Sequence, residues 1–170
     1  ALPIELCWNY LFTGPSSGLE FGAAPAPRSG ETQQSAVLRF ESSSGRQLDT
    51  VREFLNWDSP FPDSFHTWLR DTGRTLILSV KSRRNNGQII LWQSIIDAQP
   101  GSTLYTEVEG WADRIRDYGV PIYFTFNHEP ESKASSTMGE APQFIGAWRK
   151  IYDIFQARGA TNATFMWITT

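Results

Sequence analysis

Short apolar runs alternate with amphipathic stretches from Leu19 to the last residues of the chain. Leu19 to Ala24 is apolar and ends at Pro25-Ala26-Pro27, so it reads as a strand running into a loop. Glu31 to Ser43 reads as a helix with Val37 and Phe40 on one face, stopped by Gly45. Leu48 to Trp57 reads as a second strand. A Pro-rich loop then leads into a helix that buries Phe65, Trp68 and Leu69 and ends at Gly73. Thr75 to Val80 is a continuous apolar run, as expected of a strand covered on both faces. Lys81 to Ser102 is polar and reads as a long loop. Val108, Trp111, Ala112 and Ile115 then recur at helical spacing before Gly119. Pro121 to Asn127 is the clearest strand, with its proline where a ladder donor is least missed. A polar loop from His128 to Glu140 precedes a helix with Pro142 in its first turn and a stripe of Phe144, Trp148, Ile151, Tyr152 and Phe155. Ala163 to Ile168 is a fifth strand.

This alternation predicts an α/β fold with a parallel sheet and right-handed crossovers. No GxGxxG or Walker-type glycine pattern follows any strand, which removes the dinucleotide-binding and P-loop readings. Two architectures remain: a (β/α)8 TIM barrel, of which the chain supplies about four βα units plus a fifth strand, or an open doubly wound sheet. A complete barrel usually needs ~250 residues, and this chain has 170. Residues 1–18 fit neither pattern and read as a linker or N-terminal extension.

Composition narrows the function classes. With 40% hydrophobic residues, including 7 Trp, 5 Tyr and 11 Phe, the chain has ample apolar surface to bury and does not read as disordered. The net charge is -3 with both signs interspersed, so no nucleic-acid or anionic-membrane partner is indicated. The single Cys7 excludes an intramolecular disulfide framework and a Cys-based zinc site, and no metal or other cofactor is called for. No segment approaches the ~18 apolar residues of a membrane span. Glu5 stands where a signal peptide would carry basic residues, so no targeting segment is read, although a mature protein would look the same.

In either parallel architecture the active site lies at the carboxyl ends of the strands. Asn127-His128-Glu129-Pro130-Glu131 occupies that position on the fourth strand, and a carboxyl group beside an imidazole suits a general acid. Glu131 reads as solvent-facing. Trp57, at the end of the second strand, is either a platform for a sugar ring or a core residue of the rim. Trp167, near the end of the fifth strand, and Lys81, at the end of the third, are further substrate-contact candidates. Trp111 and Trp148 follow helical spacing and read as core. His66 reads as structural. Asn162-Ala163-Thr164 matches a glycosylation sequon, a pattern frequent by chance.

Three stretches resemble glycoside hydrolase family 26, the β-mannanase family: Phe124 to Glu131 with its His-Glu pair, Pro142 to Phe155 with Ala147-Trp148-Arg149, and Gly159 to Trp167. The likeness extends more loosely back to Leu19 and covers about the first half of that family's barrel. It implies a (β/α)8 glycosidase domain beginning near residue 19, retaining hydrolysis of β-1,4-linked mannan, a polysaccharide or oligosaccharide substrate, and secretion from a bacterium. By the same resemblance, Glu129 matches the general acid/base after the fourth strand, and His128 and Asn127 line the sugar site. The family's nucleophile is a glutamate at the end of the seventh strand, so no residue of this chain matches it. Pro130-Glu131 and the Ser132 to Gly139 loop lack the aromatic residues common there. The alternative is a non-catalytic carbohydrate-binding barrel remnant.

Overall fold

The structure is a computed structural model and describes residues 19–169. The segment read as a linker, 1–18, lies outside the described residues. Strands and helices alternate as β1 (Gly22–Ala23), α1 (Gln33–Ser44), β2 (Thr50–Leu55), α2 (Ser64–Asp71), β3 (Thr75–Val80), α3 (Trp92–Asp97), α4 (Thr103–Tyr118), β4 (Ile122–Phe126), α5 (Ala141–Ala157) and β5 (Ala163–Phe165). All neighbouring strands pair in parallel, and the sheet order is sequential, β1-β2-β3-β4-β5. A doubly wound sheet reverses its order at a switch point. The unbroken order therefore settles the choice left open by the sequence: this is a partial (β/α) barrel.

The expected elements are present with shorter strands. The second is trimmed from Leu48–Trp57 to Thr50–Leu55, and the fifth ends at Phe165. The long loop after β3 is not structureless as expected, because it contains the six-residue α3. Too short to show a helical period, α3 is fixed by packing: Trp92 and Ile95 are buried against α5.

Strand alternation sorts the side chains. Leu76, Leu78, Val80, Phe124 and Phe126 face the helix layer and meet Val37, Leu69, Ile115, Ile151 and Phe155 in one core. Arg52, Phe54 and Ser79 face the opposite, inner side, where Arg52 Nε donates to Ser79 Oγ at 3.2 Å. Two helices end on left-handed glycines, Gly45 and Gly119, where a Cβ would be strained. Thr32 and Ser102 cap helix N-termini with their hydroxyls.

Candidate active site

At the carboxyl end of β4 the backbone leaves the extended region twice. Asn127 has φ +43° and Glu129 has φ +53°, left-handed values that side chains other than glycine rarely adopt. Such strain persists only where the surroundings over-determine it, and here they do. Asn127 is buried; its Oδ1 accepts from the Ser82 backbone N–H at 3.1 Å and its Nδ2 donates to Ser135 Oγ at 3.0 Å. Ser135 Oγ in turn donates to the Glu129 carbonyl at 3.1 Å. The Glu129 N–H donates to the Ile168 carbonyl at 2.8 Å, tying the loop to the segment that follows β5. Asn127 is thus a brace joining the loops after β3 and β4. The half-buried Glu129 carboxylate makes no hydrogen bond or ion pair among the described residues.

Charge gathers around this turn. Arg52 on β2 acts electrostatically on both Glu129 and His128. Its guanidinium lies 4.6 Å over the Phe54 ring and its Nη2 is buried with no partner. The His128 ring meets Phe54 edge-on at 4.9 Å. Burial first, then the positive charges of Arg52 and Lys81, hold the His128 pKa below its ordinary value, with Glu129 opposing them. His128 is therefore neutral at neutral pH, with Nδ1 buried and unpartnered. Glu129, His128 and Lys81 at the strand ends, with Arg52 on the inner face of β2, thus form one electrostatic cluster. The arrangement offers a carboxyl group that can exchange a proton, a neutral imidazole and two cations able to donate to hydroxyls.

Two tryptophans stand elsewhere. Trp57 is only 4% exposed and lies on the helix side, against Phe126 at 6.1 Å. Its Nε1 donates to Glu107 at 2.9 Å, and its carbonyl accepts from Trp111 Nε1 at 3.0 Å. Of the two readings of Trp57, its burial and these contacts fit the rim-core one, and Trp57 also lines a cleft on the helix side. Trp167 is 49% exposed, packed edge-on to Phe144 at 4.9 Å. It walls a cleft of about 520 Å³ with Trp92, Glu131, Ser132, Ser136 and Glu140, beside the β4–α5 loop. Glu131 is exposed, as expected, and on this cleft.

Sequence reasoning missed Arg52 and Phe54. The signal was available: two residues apart in a strand they share a face, and an arginine inside an otherwise apolar strand has to be accounted for. His66, read as structural, is fully buried with Nε2 2.7 Å from Glu53 Oε2 and Nδ1 2.7 Å from Asp63 Oδ1. The Asn162 side chain donates to the Ile115 and Val120 carbonyls at 2.8 and 3.0 Å, which occupies the amide nitrogen a glycan would need. Among the described residues no group of three or more His, Cys, Asp or Glu could hold a metal ion.

No protein-family model matches the chain. It is 29% identical over 164 residues to Endoglucanase H of Acetivibrio thermocellus, covering 89% of this chain and 16% of that protein. Among solved structures it resembles the GH26 domain of an endo-beta-mannanase/endo-beta-glucanase from Prevotella bryantii, with a TM-score of 0.58, 14% identity and coverage of 86% of this chain and 56% of that one. That second likeness, at 14% identity, bears on the fold alone. The chain spans about a sixth of the length of its curated relative and little more than half of the solved neighbour.

Proposed function

We propose that the chain is the N-terminal part of a secreted glycoside hydrolase barrel that cleaves β-1,4-mannan or a related β-glucan internally and with retention. Glu129 is its general acid/base. The observation that carries this reading is the left-handed backbone at Glu129, φ +53°, which fixes an unpaired carboxylate at the carboxyl end of β4 beside Arg52 and His128. The two similar proteins, one named an endoglucanase and the other an endo-beta-mannanase/endo-beta-glucanase, support the reaction class and leave the sugar open between mannose and glucose.

Glu129 protonates the glycosidic oxygen as the bond breaks and then removes the proton from the attacking water. The neutral His128, Asn127 and Lys81 line the reacting sugar, and Trp167 offers a ring face to a neighbouring unit. Retention needs a second carboxylate ~5–5.5 Å from the first. Glu53, the acidic residue within β2, points to the helix layer and is engaged by His66, so the nucleophile comes from chain beyond the described residues. The absence of a second inner-face carboxylate among the described residues also favours a runner-up, a barrel remnant that binds sugars without cleaving them.

The experiment is hydrolysis of mannan and of mixed-linkage or cellulosic β-glucan by the chain extended through a seventh strand, with the anomeric form of the first product read by proton NMR. Release of β-anomers from either polymer is expected. Inverted product, or binding without cleavage, would turn the reading to another mechanism or to the runner-up.

A further inference from the structure

A second cleft, of about 450 Å³, opens on the helix side of the same rim. The loop after β2 supplies Asp58, Ser59 and Phe61, the loop after β3 supplies Arg84, and α4 supplies Glu107, Trp111 and Arg114. The charges in it are unequally engaged. Glu107 Oε2 accepts from both Arg84 Nη2, at 2.8 Å, and Trp57 Nε1, at 2.9 Å, so the Arg84 charge is neutralised. Asp58 Oδ1 accepts from the Asn85 backbone N–H at 2.7 Å. Arg114 differs: no carboxylate forms an ion pair with it among the described residues, and its Nε is buried without a hydrogen-bond partner. Its nearest acidic neighbour in sequence, Asp113, is taken by Arg116 and Arg158.

The helix is shaped to hold this guanidinium in place. Arg114 lies 4.6 Å over the Trp111 ring. Four residues before it stands Gly110, where a Cβ would come within 3.1 Å of Arg114 Nη1. A glycine inside a helix is unfavourable unless something else needs the space, and here the guanidinium takes it. Stacked on an indole and partly desolvated, Arg114 keeps its planar fork of donors, which matches a carboxylate in two parallel bonds.

We propose that this cleft binds an acidic sugar unit, a uronate, with Arg114 taking the carboxylate and Asp58 and Ser59 taking ring hydroxyls. With Arg84 paired to Glu107, Arg114 is the cation of the cleft left to meet an anion, and the Asp58 carboxylate beside it favours a single negative charge over a double one. The carboxylates can accept hydrogen bonds from ring hydroxyls. The site is separate from Glu129 and does not depend on turnover, so it stands or falls apart from the proposed hydrolysis.

The test uses the chain itself and three probes: sodium glucuronate, glucose and inorganic phosphate. Each is titrated at constant ionic strength, following tryptophan fluorescence and heat. Glucuronate is expected to bind saturably, glucose and phosphate at least tenfold more weakly, and Arg114→Gln to weaken glucuronate at least tenfold while leaving the circular dichroism spectrum unchanged. Equal binding of glucose and glucuronate, or a Gln variant with undiminished affinity, overturns the carboxylate role of Arg114. Phosphate binding as tightly as glucuronate overturns the sugar assignment. Should Arg114→Gln fail to fold, the comparison of the three probes on the unaltered chain decides the matter.

Discussion

The left-handed backbone at Glu129 sets a local conflict between stability and chemistry. A non-glycine residue in this region costs roughly 1–2 kcal/mol, of which glycine gives back part through its greater unfolded-state entropy. Glu129→Gly is therefore expected to raise the stability by about 0.5–1 kcal/mol while removing the carboxylate. Urea unfolding checks this, and a destabilised variant would show that the carboxylate itself holds the turn. Asn127 has the opposite balance. Its loss leaves the Ser82 N–H unpaired in a buried site, so Asn127→Ala should cost about 1–3 kcal/mol, read as a lower urea midpoint with an unchanged slope. Neither residue's conformation was legible beforehand. The sequence placed Asn127 and Glu129 at a strand end, but a φ angle depends on partners 45 residues away at Ser82 and on Ile168.

At the scale of elements, α2 is fastened to β2 through His66, and the loop after β4 presses His128 against β2. The two histidines respond oppositely to pH. Burial alone would depress His66, but the Glu53 and Asp63 carboxylates on its two ring nitrogens outweigh it and raise the pKa. Burial and two cations lower that of His128. A raised histidine contributes stability that is present below the unfolded-state pKa and lost as pH climbs through the folded one. A lowered histidine makes the fold lose stability as pH falls through the unfolded-state value. The two effects meet near the ordinary histidine pKa of about 6.5, so the thermal midpoint is expected to peak there and fall on both sides. His66→Gln should flatten the alkaline limb alone. Proton NMR gives a direct check, because the chain has 2 histidines: one imidazole should titrate above 6.5 and the other below it. Two titrations on the same side would contradict this account of the charges.

The helical stripes and apolar runs were legible because their periods are local properties of the chain. So were the stops, since Gly45 and Gly119 sit in left-handed caps. The short α3 and the inner-face pair of Arg52 and Phe54 were not, because both follow from packing between elements distant in sequence. Trp57 shows the same limit. Its position at a strand's end suits a sugar platform and a core residue equally, and only Phe126, Glu107 and Trp111 around it decide.

Among the described residues the sheet is open, with β1 and β5 at its edges. On the β5 side Ile145, Tyr152 and Trp167 are exposed, and Phe54 is exposed on the inner face. In a closed barrel these positions meet further strands and helices, and unpaired edges invite association. The 170-residue chain alone is therefore expected to self-associate in a concentration-dependent way, as sedimentation velocity would show, and to leave mannan and β-glucan intact. A monomer at every concentration would mean that the edges are already protected. Candidate chemistry at this scale was legible only as far as the position of the His-Glu pair and a family likeness could carry it.

The central claim is that Glu129 delivers the proton to the leaving group. It is tested most directly by Glu129→Gln in the extended enzyme, comparing polysaccharide with an aryl glycoside whose phenolate leaves without protonation. The account predicts a loss of ~10²–10⁴-fold in kcat/KM on the polysaccharide and a much smaller loss in the aglycone-release step of the aryl substrate. Equal losses on both, or no loss on the polysaccharide, would contradict it.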